Sequence, residues 1–416
     1  MTETTTIDVA VIGAGIVGLA SAFRLLEAGR RVTLIERQGI AEGASFGNAG
    51  AFAFSDVLPM ASKGMLRKVP GWLADPLGPL AIPPAYLPTI LPWLLRYWRA
   101  GWKDRYEGSL AAQSSLMALA RSEWASLAAT AGIAHMVRSD GSLEVYESEA
   151  ELRASVPGWA ARERHGIGFR HVRGAELAEL QPGLSPRFVV GTFVAEWQTV
   201  DDPYLFASAL GTIVQARGGA VLKAEVRSVQ PANGGVAIAL SDGSTLQAKQ
   251  AVVAGGAWSK ALTAPLGDAV PLETERGYNT TLPPGAFDLR RQVIFGGHGF
   301  VVTPLSTGLR VGGAVELGGL KIPPNFKRSE AMLKKAKAFL PELRTEGGRQ
   351  WMGFRPSLPD SLPVISPSSA SPDIVYAFGH GHLGLTQAAA TGRLVAELIQ
   401  KARPAIDITP FAATRF

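Results

Sequence analysis

The first clear hydrophobic run, IDVAVIG over residues 7–13, is short, nearly continuous and closes on glycine. That is the pattern of a strand buried on both faces. Residues 15–29 follow with small and apolar residues at helical spacing and end on Gly29. RVTLIE, residues 31–36, is a second buried strand. Strand, helix and strand within about 30 residues make a βαβ unit, which requires a parallel sheet. Farther along, 109–131 reads as an amphipathic, alanine-rich helix and 203–217 as another, with Gly218-Gly219 behind it. AVLKAEVRSVQP, GVAIALS and TLQAKQAVVAG are short strands punctuated by turns at Asn233-Gly234 and Ser241-Asp242-Gly243. They lead back to a buried strand at 251–254. A second strand-rich stretch covers 270–318, and a basic helix is predicted near 328–339. The closing segment, DIVYAFGHGHLGLTQAAATGRLVAELIQKA, repeats the opening order of strand, glycine turn and helix.

Residues 57–105 are rich in proline and tryptophan and fit no simple period. Between Asp75 and Arg96 lie twenty uncharged residues, a length that would span a bilayer. Prolines at 76, 79, 83, 84, 88 and 92 argue against a regular helix there, and irregular backbone cannot cross lipid. Two readings stand. One is a proline-rich surface excursion. The other is peripheral membrane contact through 76–103, because Trp93, Tyr97, Trp98 and Trp102, with Arg96, Arg99 and Lys103, suit a lipid interface.

At 416 residues the chain exceeds one simple core, so two domains are expected. Hydrophobic residues at 47% and charged residues at 18% describe a globular protein. The net charge of +6 is mild over this length, and no Lys/Arg-rich run suggests nucleic acid. The chain contains no cysteine. Disulfides, thiolate nucleophiles, iron–sulfur ligation, cysteine zinc sites and a cysteine-tethered flavin are thereby excluded. This fits a reducing compartment. The first apolar run enters a glycine motif without a basic leader, so it reads as a strand and not a signal peptide. The expected location is cytoplasmic, on the inner face of the membrane if 76–103 touches lipid.

Gly13-Ala14-Gly15-Ile16-Val17-Gly18 is GxGxxG directly after a strand and at the start of a helix. Gly13 permits the tight turn, Gly15 lets backbone approach a pyrophosphate, and Gly18 allows close helix–strand packing. The phosphates would sit at the helix N-terminus, where free N–H groups favour anions. Glu36 ends the second strand 23 residues after Gly13, where a carboxylate accepts from ribose hydroxyls. A nicotinamide dehydrogenase would continue into a plain helix. ERQGIAEGASFGNAG instead places Gly43, Ser45, Asn48 and Gly50 in a loop suited to a long flavin nucleotide.

Four landmarks, in order, extend this picture. They are VAVIGAGIVGLASAFRLLEAG with LIER; ASFGNAG; QAVVAGGAWS; and GFRPSLPDSLPVI with FGHGHLGLTQAAATG. With them, essentially the whole chain resembles the D-amino-acid oxidase-like FAD-dependent oxidoreductase superfamily, and within it the bacterial D-amino-acid dehydrogenase small-subunit type. The resemblance implies an α/β fold. A Rossmann-like FAD-binding domain would be built from 1–56, 195–270 and 345–416. An antiparallel-sheet α+β substrate domain, 57–194 and 271–344, would be inserted into it.

The resemblance also assigns roles. Glu36 and Arg37 would hold the adenosine ribose, Val226 would pair its backbone with adenine, and Ala254, Gly255 and Trp258 would flank the nucleotide. Ser45, Asn48, Ala49 and Gly50 would lie beside the flavin and its ribityl chain. Gly381, His382, Leu383, Gly384, Leu385 and Thr386 would present N–H groups to the pyrimidine edge of the ring. Relatives that tether flavin through histidine carry it in the loop after the first βαβ unit, which here has none, so non-covalent FAD is expected. Arg355 would grip a substrate carboxylate, for which a guanidinium fork is suited. Tyr278 would be a second contact, or packing. His380 and His382 lie one residue apart with no carboxylate near them in sequence, a poor metal site. His382 is instead placed near flavin or substrate, or in a structural hydrogen bond.

The implied reaction is oxidative deamination of a D-amino acid. Hydride leaves Cα for the flavin, the imine hydrolyses, and electrons pass to a quinone or dye. No obvious general base appears in the sequence. The alternatives are a D-hydroxyproline dehydrogenase or a glycine- or sarcosine-type oxidase of the same superfamily. A non-catalytic nucleotide-binding module would leave Arg355 and the flavin-side loop unexplained. The sequence does not specify the oligomeric state.

Overall fold

The computed structural model describes residues 6–62, 78 and 80–416. Two large sheets carry the molecule. The first is built on the parallel strands Ala220–Lys223, Val32–Glu36, Ile7–Ile12 and Thr245–Val253, in that order. Val9 pairs with Val32 and Ile12 with both Ile35 and Val253, so β-branched residues align across the sheet centre. On the far side, Ile374–Phe378 runs parallel to the end of Thr245–Val253. The hairpin Val226–Ala232 and Gly235–Leu240 pairs with its beginning.

Helices Ile16–Glu27, Pro203–Ala216 and Gly384–Ile399, with the long helix Lys103–Ala131, cover this sheet and share its main core. The first and last of these pack unusually closely. A Cβ at Gly392 would stand 2.6 Å from the Ala20 carbonyl oxygen, so the small residues of both helices allow backbone contact.

The second sheet is largely antiparallel. Its order is Arg349–Ser357, Glu273–Leu282, Gly308–Leu317, Phe300–Leu305, Gln292–Phe295, Ser142–Tyr146, Val190–Val194 and Arg170–Arg173. Helix Lys327–Phe339 packs Met332, Ala336 and Phe339 onto a core with Phe295 and Phe300. Strand Arg349–Ser357, expected with the nucleotide domain from residue 345, is hydrogen-bonded along its length to Glu273–Leu282. The chain therefore returns to the first sheet later than the motif order suggested.

A second expectation is overturned by the segment before residue 105. Residues 76, 77 and 79 lie outside the described residues, but Leu87–Ala100 is an α-helix. Pro84 and Pro88 occupy first turns, where the missing N–H would have no intrahelical acceptor. Only Pro92 removes an interior hydrogen bond. Tertiary packing compensates: Ile90 and Trp93 are buried against Leu317, and Trp93 stacks on Tyr97 at 5.2 Å. The opposite stripe, Leu87, Leu91, Leu95, Trp98 and Trp102, is exposed, with Leu95 at 57%. Among the described residues, no helix is long and apolar enough to cross a membrane.

Candidate active site

A cavity of about 860 Å³ lies between the carboxyl ends of the first sheet's strands and one face of the second sheet. Open α/β sheets place ligands at this edge. Gly13 turns the chain here with φ of 104°, and a Cβ on it would come within 2.5 Å of the Ala254 carbonyl oxygen. Gly18 packs beneath this turn, away from the cavity. The helix N-terminus that follows is partly capped from a distance. The Ala14 amide donates to Glu36 Oε2 at 2.8 Å, and the Ile16 amide donates to Ser45 Oγ at 2.9 Å. Glu36 Oε1 accepts from the Gln38 amide at 2.9 Å, so the carboxylate is oriented through both oxygens. Beyond it, the Arg37 guanidinium lies over the Trp258 ring at 3.9 Å, and Val226, Ala254 and Gly255 complete the wall.

The loop through Ser45, Asn48 and Ala49 forms the next stretch of wall. Gly50 stands behind it, its amide donating to Asn48 Oδ1 at 2.8 Å. The second sheet clamps this loop. Asn279 Nδ2 donates to the Gly47 carbonyl and Arg310 Nη1 to the Asn48 carbonyl, both at 2.6 Å. Burial pulls the Arg310 guanidinium below its ordinary pKa, with Asp202 opposing the shift.

Across the cavity, Gly384 and Leu385 open the last helix and line the wall with Gly381 and His382. First-turn N–H groups have no intrahelical acceptor and remain available to a ligand. Two of the expected donors are not. The Gly381 amide donates to Pro356 O at 2.7 Å and the Leu383 amide to His380 O at 2.9 Å, because the turn closes on the neighbouring strand. Leu383 and the Thr386 side chain face inward, Thr386 Oγ1 accepting from the Ala53 amide at 3.0 Å. His380 is buried against Thr391 Oγ1 at 2.9 Å, and burial pushes its pKa down to about 3, so it stays neutral.

His382 has an unexpected partner. Its Nε2 lies 2.9 Å from Asp56 Oδ2. Both side chains border the open cavity, where partial desolvation works against their charges, yet their hydrogen bond prevails: it holds His382 above and Asp56 below their ordinary pKa values. Arg162 supports Asp56 from 3.7 Å.

Arg355 reaches the same cavity from strand Arg349–Ser357. Its guanidinium lies across Gly277, where any side chain would collide with it. Nη1 donates to the Ala314 carbonyl at 3.1 Å, and Ala314 adopts a strained φ of 54°. Burial lowers the Arg355 pKa, with the Glu275 carboxylate opposing. Tyr278 does not join Arg355. Its ring packs against Phe326, and its hydroxyl donates to Glu316 at 2.5 Å and accepts from the Asn325 amide at 3.1 Å. It is adjacent to Gly277 in the strand and so points to the opposite face.

The chain matches the family model described as FAD dependent oxidoreductase over residues 8–398. It belongs to that family. It is 38% identical over 415 residues to a D-amino-acid oxidase of Bradyrhizobium diazoefficiens, covering 98% of each chain. A D-amino acid dehydrogenase of Rhizobium johnstonii is 30% identical over 420 residues, covering 98% of this chain and 99% of the relative. In fold it is similar to glycine oxidase from Geobacillus kaustophilus, with a TM-score of 0.75, 22% identity and 98% of each chain covered.

FAD, the cofactor of this family, fits the residues present. Side-chain-free backbone at Gly13 and Gly15, an anchored carboxylate at Glu36, and a second helix N-terminus at Gly384 line one continuous cavity. At about 860 Å³, it is larger than a small substrate alone needs. Sequence reading missed Asp56, Glu275, Asn279 and Arg310. Only Glu275 had a local signal: alternation along Glu273–Leu282 puts it on the same face as Gly277.

Proposed function

We propose that this flavoenzyme oxidises a D-amino acid at Cα, giving an imine that hydrolyses to a keto acid, with a quinone-type final electron acceptor. Bound FAD supplies the hydride acceptor. The observation that carries the substrate reading is Arg355, a guanidinium that lines the cavity and is oriented by the Ala314 carbonyl, with no carboxylate paired to it among the described residues. A half-buried cation of this geometry, facing the cavity, calls for a small carboxylate ligand. The names of the two curated relatives above support a D-amino acid as that ligand.

In this reading the first sheet and its helices bind FAD and the second sheet presents the substrate. Gly13, Gly15, Ile16 and Val17 approach the pyrophosphate, with Gly18 packing the helix beneath. Glu36 and Arg37 take the adenosine ribose, beside Val226, Ala254, Gly255 and Trp258. Ser45, Asn48, Ala49 and Gly50 shape the flavin side, and Gly384, Leu385 and Thr386 offer N–H groups to the ring edge. His382 borders the substrate. FAD is held without a covalent bond, since the loop after the first βαβ unit lacks histidine and the chain lacks cysteine. The exposed stripe Leu87, Leu91, Leu95, Trp98 and Trp102, flanked by Arg96 and Lys103, rests peripherally on lipid on the cytoplasmic side and brings the enzyme to its acceptor.

A second reading, with oxygen as acceptor, is favoured by the 38% identical relative, which is named an oxidase. Anaerobic addition of a panel of D- and L-amino acids to the yellow protein tests the substrate. Bleaching by one or more D-amino acids is expected; a panel in which only L-amino acids or none bleach the flavin overturns the proposal.

A further inference from the structure

Three carboxylates lie on strand Glu273–Leu282 or beside it: Glu273 and Glu275 on one face, and Glu316 opposite Arg276 on the neighbouring strand. Glu273 accepts from the Tyr86 hydroxyl at 2.8 Å. Glu316 accepts from the Tyr278 hydroxyl and from Arg276 Nη1. Glu275 accepts from nothing: among the described residues no hydrogen bond or ion pair reaches its side chain. It is nevertheless only 5% exposed, and it lines the cavity.

Glu275 stands directly opposite Arg355 in the antiparallel register. Such partners project from the same face of the sheet. They do not pair with each other, because the Arg355 guanidinium is turned along the strand onto Gly277 and held by Ala314 O. Glu275 instead acts at a distance. Its charge is felt by Arg355, by His382 and by the Tyr97 hydroxyl. Asp56, the cavity's other carboxylate at this end, is already neutralised by His382. A desolvated carboxylate without a partner is unfavourable until a cation arrives.

We propose that Glu275 receives the α-ammonium group of the substrate while Arg355 receives its α-carboxylate. The inference rests on the carboxylate reading of Arg355 given above. The two side chains then form a charge pair split across one cavity wall, complementary to a zwitterion that carries both charges on one carbon. The site thereby selects amino acids over simple carboxylates and α-hydroxy acids, for which Glu275 is repulsive or unmatched. The contact also prepares the amine. One ammonium N–H bond breaks, an O–H bond forms on Glu275, and the electron pair stays on nitrogen, leaving a neutral amine.

The test compares wild-type holoenzyme with Glu275→Gln, using D-alanine with propionate and D-phenylalanine with 3-phenylpropionate. Each acid lacks only the amino group of its partner. Amino-acid binding is read anaerobically from rapid-mixing flavin reduction, and acid binding from the perturbation of the flavin spectrum. Glu275→Gln should weaken the amino acid that wild type reduces fastest roughly 10- to 100-fold, the loss of a charge-assisted contact, while the matching acid binds as well or better. Glu275→Asp, which keeps the charge one methylene short, should retain part of the preference. Equal weakening of amino acid and acid, or loss of FAD and of thermal stability in both variants, would make Glu275 structural and overturn the proposal, as would unchanged affinities. Arg355→Leu with undiminished acid binding would overturn the carboxylate reading and this inference with it.

Discussion

His382 Nε2 and Asp56 Oδ2 stand 2.9 Å apart, joining the turn before the last helix to the loop after the first βαβ unit. His382 is held above its ordinary value of 6.5, so its share of stability is full below that value and lost as pH rises through the folded one. Asp56 is held below 3.8, so its share is present above that value and lost as pH falls through the folded one. Between these limits Asp56→Asn should lower the thermal midpoint, and the gap to wild type should close as pH rises well past 6.5. A gap that persisted unchanged at high pH would show that the pair is not ionised.

Arg355→Leu should retain FAD and lose about 3–5 kcal/mol in kcat/KM, because a buried carboxylate would face the cavity without its cation. Arg355→Lys should recover only part, since ammonium lacks the guanidinium fork. Steady-state kinetics alongside the flavin absorbance ratio measure both. Normal turnover by the Leu variant places the carboxylate site elsewhere.

Glu36→Ala should weaken FAD by on the order of 1–3 kcal/mol, through lost hydrogen bonds to ribose. Glu36 also accepts from the Ala14 and Gln38 amides, so a small drop in the apoprotein's thermal midpoint should accompany it. Reconstitution of apoprotein with FAD, followed by fluorescence quenching, gives the affinity. An unchanged value would mean that the ribose is held by other groups.

Reduced flavin should reoxidise slowly with oxygen and rapidly with a soluble quinone in stopped-flow measurements. Replacing Leu91, Leu95 and Trp98 with serine should diminish association with anionic liposomes and leave dye-linked activity intact, because these side chains are exposed and Ile90 and Trp93 hold the helix from its other side. Peroxide released at the turnover rate would favour the oxidase reading instead.

Much of the nucleotide end was legible in the sequence by itself. The strand Ile7–Ile12, the turn at Gly13, the helix from Ile16 and the carboxylate at Glu36 lie within one βαβ unit. There, backbone conformation and hydrophobic period are set by near neighbours. The landmark around Arg355 and the closing glycine turn were likewise readable as motifs. What the tertiary structure alone decided is which side chains meet. Asp56 and His382 are 326 residues apart, and Asn279 and Arg310 reach the Gly47 and Asn48 carbonyls across 232 and 262 residues. The Tyr278 side chain turned to the opposite face of the sheet, leaving its backbone at the cavity, and Glu275 faced the cavity, because strand alternation and register assign their faces. The helix Leu87–Ala100 formed despite Pro92 because burial of Ile90 and Trp93 outweighs one missing hydrogen bond. Local propensity cannot foresee such outcomes, since they depend on the register and mutual placement of whole sheets.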